Sequence, residues 1–81
     1  MTLTVHLFAR ARELAGADTI ALDVPTGATV ADLRRLLASR FPSLAALLER
    51  SAVAVNHDFA EIDRIIAPGD ELAVIPPVSG G

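Results

Sequence analysis

The 81-residue sequence contains no cysteine and no lysine, and its seven basic residues are all arginine. Without cysteine there is no disulfide, no thiolate ligand for a metal and no cysteine nucleophile. Without lysine, the N-terminus is the only amine in the chain that can attack an activated acyl group. Ten acidic residues against seven arginines give a net charge of −3. The arginines form no basic cluster, which argues against a nucleic acid partner.

Long apolar runs are also missing. No stretch approaches the ~20 residues of a membrane span, and the N-terminus lacks the charged and apolar segments of a secretion signal. We therefore expect a cytoplasmic protein with no membrane partner. A single domain of this size buries only about 60% of its unfolded surface. Because 52% of the residues are hydrophobic and the mean hydropathy is +0.47, we expect part of the apolar surface to contact a partner.

Motifs for autonomous catalysis are absent as well. The five glycines form no phosphate-binding loop, and no serine lies in a nucleophile-elbow context. The two histidines, His6 and His57, do not follow a zinc-binding spacing. We therefore expect the chain to bind no metal and no cofactor by itself, and to be a non-catalytic component.

Alternation of apolar and polar residues predicts strands, because successive side chains of a strand point to opposite faces. In the first strand, Leu3 and Val5 lie on one face and Phe8 on the other. The predicted strands are residues 2–9, 19–24, 52–55 and 71–75, with a turn at 56–58 and one short strand within the irregular segment 59–66. We expect the first two to pair as a hairpin across a connection at 10–17, in which Gly16 makes a tight turn. Pro68-Gly69 suits a type II turn before the last strand.

One main helix is predicted to begin after Thr29. Thr29 is a favourable N-cap, and Asp32 lies three residues later, in the position of a capping box. The apolar residues that follow at helical spacing are Val30, Leu33, Leu36 and Leu37. Pro42 ends the helix after Phe41, and Ser43 is expected to cap a second, shorter helical turn. The order of elements predicts an α+β domain, in which a mixed sheet carries one main helix on one face.

The C-terminus is the most distinctive segment. We predict a domain at residues 1–75 and a flexible tail at 76–81. Pro76 and Pro77 lack the N–H that a sheet requires, and they stiffen the chain as it leaves the last strand. The six residues of the tail reach roughly 20 Å when extended. Because Gly80 and Gly81 carry no side chains, the terminal carboxylate stands at the end of a narrow arm.

Several motifs point to a known family. They are Leu7-Phe8-Ala9 with Arg12-Glu13-Leu14 and Gly16, Val53-Ala54-Val55-Asn56, Gly69-Asp70-Glu71-Leu72 and, above all, Pro76-Pro77-Val78-Ser79-Gly80-Gly81. With these residues the chain resembles the MoaD/ThiS family of ubiquitin-like sulfur carriers, which includes the small subunit of molybdopterin synthase. The resemblance covers nearly the whole chain and implies the ubiquitin-like β-grasp fold.

The resemblance also implies a role for the C-terminus. An ATP-dependent activating enzyme (an adenylyltransferase) adenylates Gly81, and a sulfurtransferase converts the adenylate into a thiocarboxylate, so that the chain carries a C-terminal thioglycine. The carrier and the large subunit of molybdopterin synthase together form a heterotetramer. The large subunit accepts the tail, and sulfur is transferred there to cyclic pyranopterin monophosphate. Pro76, Pro77, Val78, Ser79 and Gly80 are the residues that thread into the large subunit.

Three residues are candidates for partner binding. Phe8 and Ile75 are expected to form an apolar docking patch on the outward sheet face, with simple core packing as the alternative. Arg12 is expected to pair with a carboxylate of the partner, with a solvated surface arginine as the alternative.

Other functions use the same features. The residues also fit a related carrier that serves thiamine, cysteine or thio-tRNA synthesis, with the same chemistry at Gly81. It is also compatible with a ubiquitin-like modifier that is joined to lysines of target proteins, or with an interaction module whose Gly-Gly end is idle. Removal of Gly81 separates the last of these from the others, because an idle tail predicts no loss of function.

Overall fold

The computed structural model describes residues 1–77 and contains a single mixed sheet with helices on one side. The elements are β1 (Thr2–Leu7), α1 (Ala9–Ala15), β2 (Thr19–Asp23), α2 (Val30–Arg40), a 3₁₀ helix (Pro42–Leu44), α3 (Ala45–Leu48), β3 (Ala52–Val55), β4 (Asp58–Phe59) and β5 (Leu72–Ile75). The strand order is β2-β1-β5-β3-β4. β1 and β5 run parallel, and the other neighbours are antiparallel. The prediction of an α+β fold with a mixed sheet is confirmed.

The core lies between α2 and one face of the sheet. Alternation in β1 buries Leu3, Val5 and Leu7, each at most 2% exposed. The predicted apolar stripe of α2 supplies Leu33 and Leu37, which are fully buried in the same cluster. Strands β3 and β5 add the valines and leucine that point to this side. One face of the sheet is therefore covered by helices, and the described helices do not cover the other face.

The N-terminus of α2 has the predicted capping box. The Thr29 N–H donates to Asp32 Oδ2 at 2.9 Å, and the Asp32 N–H donates to Thr29 Oγ1 at 3.3 Å. The bond from the Thr29 N–H, followed by the bond from its hydroxyl, lowers the pKa of the Asp32 carboxyl below its ordinary value. Folding therefore favours the carboxylate form of Asp32 over the protonated form.

This shift predicts a loss of stability in acid. A depressed folded pKa contributes stability that is present above the unfolded value of about 3.9 and is lost as the pH falls through the folded pKa. We expect the melting temperature of the wild type to fall more between pH 6 and pH 3 than that of Asp32→Asn, because the variant has no proton to gain. Thermal unfolding followed by circular dichroism measures this. An equal fall in the two proteins would contradict it.

The segment 10–17 differs from its predicted form. It contains α1 rather than a simple connection, so the first two strands are joined by a helix instead of a tight turn. Gly16 caps this helix with a left-handed φ of 72°, and its N–H donates to the Arg12 carbonyl at 2.9 Å. The sequence of α1 consists of strong helix formers, but Ala11 is its only buried residue, so it has little of the apolar periodicity that identifies a helix.

The predicted main helix is α2, and the second, shorter helical segment is present as the 3₁₀ helix and α3. One smaller prediction needs correction. Ser43 does not cap the second helical segment. Phe41 precedes the 3₁₀ helix with Pro42 at its first position, and the Ser43 hydroxyl points to the Leu14 carbonyl at 3.5 Å. Proline at the first position replaces a capping side chain here, since its missing N–H would have had no partner.

The turn before β5 forms as predicted. The Asp70 N–H donates to the Ala67 carbonyl at 3.1 Å, and Gly69 has a φ of 86°, as the third position of a type II turn requires. The short strand expected within 59–66 begins one residue earlier, as β4. Its first residue, Asp58, belongs to the strand rather than to the predicted turn.

Candidate functional site at the C-terminal strand

The last strand leaves the sheet at the point where its hydrogen-bonding partners end. β5 is a central strand whose register pairs Leu7 with Val74 on one side and Ala52 with Ile75 on the other. Pro76 follows directly and is buried, whereas Pro77 is exposed. The prolines therefore cost no ladder hydrogen bond, because the pairing of β5 with β1 ends at Val74 and its pairing with β3 ends at Ile75.

Parallel pairing brings two apolar side chains together at this exit. Because β1 and β5 run in the same direction, the residues that follow their last ladder positions lie side by side. These residues are Phe8, which is 51% exposed, and Ile75, which is half-buried. Neither belongs to the buried core cluster. The core-packing alternative for Phe8 therefore does not describe its position.

The face of the sheet away from α2 extends from this exit. His6, Ala73 and Ala54 lie in one row across β1, β5 and β3, and Phe59 of β4 is the partner of Ala54. The alanines are short, while Phe59 is 74% exposed at the rim. We call the surface formed by Phe8, Ala54, Phe59, Ala73 and Ile75 the open sheet face. It contains a concavity of about 300 Å³.

Polar groups occupy the end of the open sheet face that is farther from the tail. A Glu71 carboxylate oxygen lies 3.4 Å from His6 Nε2, and the other lies 3.2 Å from His57 Nε2. Asn56 holds this end together. Its side-chain carbonyl accepts from the Glu71 N–H at 2.9 Å, and its amide donates to Asp70 at 2.9 Å.

Asp70 is itself fixed by these contacts. The bond from the Ala67 N–H and then the bond from the Asn56 side chain lower the pKa of the Asp70 carboxyl below its ordinary value. The carboxylate form thus fastens the loop before β5 to the turn after β3. This arrangement fixes the backbone of Glu71 relative to the open sheet face.

A second groove lies on the other side of the exit, next to α1. Its volume is about 710 Å³, and its walls include Phe8, Leu47 and Ile75 together with both prolines. Arg10 and Arg50 are at its rim, and Arg10 is 3.3 Å from Glu13. The tail therefore begins between an apolar face and a groove with two cationic side chains.

The structure places the predicted site residues of the described part of the chain in two groups. It brings Phe8 and Ile75 together beside Pro76 and Pro77. Arg12 lies apart from them, in the last turn of α1, where it is exposed and 3.6 Å from Asp18. The predicted threading residues Val78, Ser79 and Gly80, and the predicted reactive residue Gly81, lie outside the described residues. The role of each in partner binding or chemistry stays a prediction.

Sequence reasoning missed Phe59 and Glu71 as parts of this site. The signal for Phe59 was present, because a two-residue turn at Asn56-His57 sets Phe59 opposite Ala54 on the outward face. The position of Glu71 between two histidines depends on contacts across 14 and 65 residues of chain, and no local pattern encodes them.

Within residues 1–77, no helix is long and apolar enough to cross a membrane. The same residues contain no group of three or more histidine, aspartate or glutamate side chains that could hold a metal ion.

Comparison with known proteins decides the family. The model of the ThiS family matches residues 5–81. The chain belongs to the ThiS family. Among curated members of similar sequence, the molybdopterin synthase sulfur carrier subunit of Arabidopsis thaliana is 40% identical over 98% of this chain and 82% of its own length. The protein of the same name from Dictyostelium discoideum is 41% identical over 95% of this chain and 93% of its own length.

Solved structures confirm the β-grasp fold of this ThiS-family chain. The crystal structure of SAMP1, small archaeal modifier protein 1, from Haloferax volcanii has a TM-score of 0.88 at 35% identity and covers the whole of both chains. A complex of subunits 1 and 2 of the molybdopterin-converting factor from Helicobacter pylori matches with a TM-score of 0.74 over the whole of both chains. Because identity is 22% there, this likeness supports the fold alone.

Proposed function

We propose that this chain is the sulfur carrier subunit of a molybdopterin synthase. The observation that carries the proposal is the end of β5. A central strand of a ThiS-family domain leads into Pro76, which is buried, and Pro77, which is exposed, and the segment Val78-Ser79-Gly80-Gly81 follows in the sequence. Two relatives that share about two-fifths of their residues with it carry the name of that subunit.

The chemistry is located at the Gly81 carboxylate. A carboxylate is a poor electrophile, so an activating enzyme transfers AMP from ATP to it and releases pyrophosphate. Sulfur at the oxidation level of sulfide, supplied by a sulfurtransferase, then attacks the acyl carbon, AMP leaves, and a thiocarboxylate remains. When the thiocarboxylate sulfur bonds to the pterin precursor, water cleaves the acyl–sulfur bond and restores the Gly81 carboxylate. Two such cycles supply the two sulfur atoms of the dithiolene.

The composition of the chain suits this chemistry. An acyl adenylate is attacked by amines and thiols, and the chain has neither lysine nor cysteine. The carrier therefore has few groups of its own that consume its activated end. ATP and the sulfur donor are used by the partners, and the use of ATP favours a cytoplasmic location.

The large subunit of the synthase is the partner proposed for the open sheet face. Phe8, Phe59 and Ile75 expose apolar area next to the root of the tail. Covering a side chain such as Phe contributes roughly 1.5–3 kcal/mol. A partner that covers this surface would hold the tail at its own active site, in the heterotetramer that the family resemblance implies. Arg12, exposed on α1, is a further candidate contact.

A second candidate function is conjugation to other proteins. It is favoured by the likeness to SAMP1 over the whole chain at 35% identity. Activation at Gly81 is common to both functions, and only the acceptor differs, since a modifier forms an amide with a target amine. Carriers for thiamine, cysteine or thio-tRNA synthesis differ from the first proposal in the same way.

The intact mass of the protein tests the proposal. We expect incubation with ATP, the activating enzyme and a sulfur source to raise the mass by the difference between one sulfur and one oxygen atom, and fragmentation to locate the change at Gly81. The charged protein, mixed with the large subunit and cyclic pyranopterin monophosphate, should return to its original mass as molybdopterin forms. An unchanged mass with an enzyme that charges a known carrier would overturn the proposal. Charging followed by amide-linked adducts in cells, with no molybdopterin formed, would instead support the modifier.

A further inference from the structure

Glu71 is the one acidic side chain among the described residues that line the concavity of the open sheet face. The concavity is wide because its floor is built from Ala54 and Ala73, whose side chains fill little of its roughly 300 Å³. Phe8 forms part of its wall. A partner side chain that enters this space therefore meets an apolar floor, an aromatic ring and a single carboxylate, whose two oxygens already contact the imidazoles of His6 and His57 and keep their remaining lone pairs for a further donor.

The turn that carries His57, a neighbour of Glu71, has an unfavourable backbone conformation. His57 has a φ of 73° and Asn56 a φ of 52°, and these residues form the two-residue turn between β3 and β4. Glycine is usual at the second position of such a turn, because other residues are strained there. The chain nevertheless keeps an imidazole at this position, 3.2 Å from Glu71. Strained positions that persist in a fold are concentrated at functional sites.

We propose that the concavity receives an arginine side chain of the partner that covers the open sheet face. A guanidinium presents a planar pair of donors that matches a carboxylate. Its aliphatic stem would lie over Ala54 and Ala73, between Glu71 and the ring of Phe8. This inference rests on the proposed docking of the large subunit, and it adds the chemical identity of the contact at the Glu71 end of the open sheet face.

Charge supports a cationic occupant over an apolar one. The segment 58–71 contains half of the acidic residues of the chain, Asp58, Glu61, Asp63, Asp70 and Glu71, against the single basic residue Arg64. An apolar side chain in the concavity would strip water from Glu71 without supplying a counter-charge, which is unfavourable. A lysine would supply charge but neither the paired donors nor the flat surface.

Titration calorimetry of the full chain with the synthase large subunit from the same organism tests the inference. We expect Glu71→Gln to weaken binding by about 30-fold at low salt, since an arginine would be left without its counter-charge in the interface. The difference should shrink in 0.5 M salt, where charges are screened over only a few ångströms (~4 Å). Glu61→Gln, an exposed carboxylate outside the concavity, is the matched control, and its affinity should stay within about twofold of the wild type.

A second variant separates binding from stability. His57→Gly removes the strain at φ 73°, so we expect it to melt at a higher temperature than the wild type. We expect the same variant to bind the large subunit several-fold more weakly, because Glu71 loses a neighbour that orients it. A merely structural role for His57 would not couple a gain in stability to a loss in affinity.

The outcomes distinguish this inference from the function on which it rests. If Glu71→Gln binds the large subunit as tightly as the wild type, or more tightly, the proposal that an arginine enters the concavity is wrong. The proposed docking of the large subunit on the open sheet face would still stand. Absence of binding by the wild type, with a large subunit that binds a known carrier, would overturn the proposed docking itself.

Discussion

Replacement of the Gly81 carboxylate by an amide is expected to abolish both charging and sulfur transfer. The amide has the same length and shape as the native end, but it lacks the oxygen that attacks ATP, so no adenylate forms. Protein ligation supplies the amide and, as its matched control, the same ligated chain with a free carboxylate. Intact mass and molybdopterin formation are the measurements, and we expect a loss of more than about a thousandfold, on the scale of removing a reacting group from an active site.

The same variant tests whether the terminal carboxylate contributes to the stability of the domain. We expect the melting temperature of the amide to equal that of the control, because among residues 1–77 the sheet ladders end at Ile75 and the core cluster contains no residue beyond it. Molybdopterin formation by the amide at the control's rate would contradict a carrier role and favour an interaction module with an idle end.

Phe8→Asp is expected to weaken binding to the large subunit by about 100-fold. The variant loses the apolar area of a half-exposed aromatic ring and places a carboxylate where the partner excludes water. Folding should survive, because Phe8 is the N-cap of α1 and aspartate is among the residues preferred at that position. Titration calorimetry measures the affinity, and circular dichroism checks the fold.

Ile62→Asp is the control for Phe8→Asp. Ile62 is 63% exposed, comparable to Phe8, but it lies in the loop beside the N-terminus of α2, where its carbonyl accepts from the Ala31 N–H. We expect its affinity for the large subunit to match the wild type. A folded Phe8→Asp that binds as tightly as Ile62→Asp would show that the open sheet face does not dock this partner.

The sequence predicted the elements whose signals are local. Alternation located β1 and β2, and the pairing of Thr29 with Asp32 located the beginning of α2. The sequence did not predict α1, because Ala11 is its only buried residue and a helix with little apolar periodicity resembles a connection. β4 has only two residues, and it exists because Ala54 and Val55 offer it a partner.

The same distinction applies to the candidate site. The flexible tail at 76–81 stays a prediction from the sequence, because only its first two residues, Pro76 and Pro77, lie within the described part of the chain. Alternation of apolar and polar residues predicted that Phe8 and Ile75 lie on the same outward face of the sheet. That they lie side by side follows from the parallel register of β1 and β5, which the sequence does not reveal. The contacts of Glu71 with His6 and His57 arise from a turn, a loop and a strand that are distant in sequence, so only the folded chain reveals them.

The central position of β5 fixes the point at which the C-terminal segment leaves the domain. A strand at the edge of a sheet can peel away and lengthen the segment that follows it, but β5 is held by β1 and β3 on its two sides. The sequence continues for four residues beyond Pro77, and four residues span at most about 14 Å. In the proposed function Gly81 is the reacting residue, so the reacting atom of the acceptor would lie within that distance of Pro77. The fixed position of β5 would then limit how deep the active site of a partner bound to the open sheet face can be.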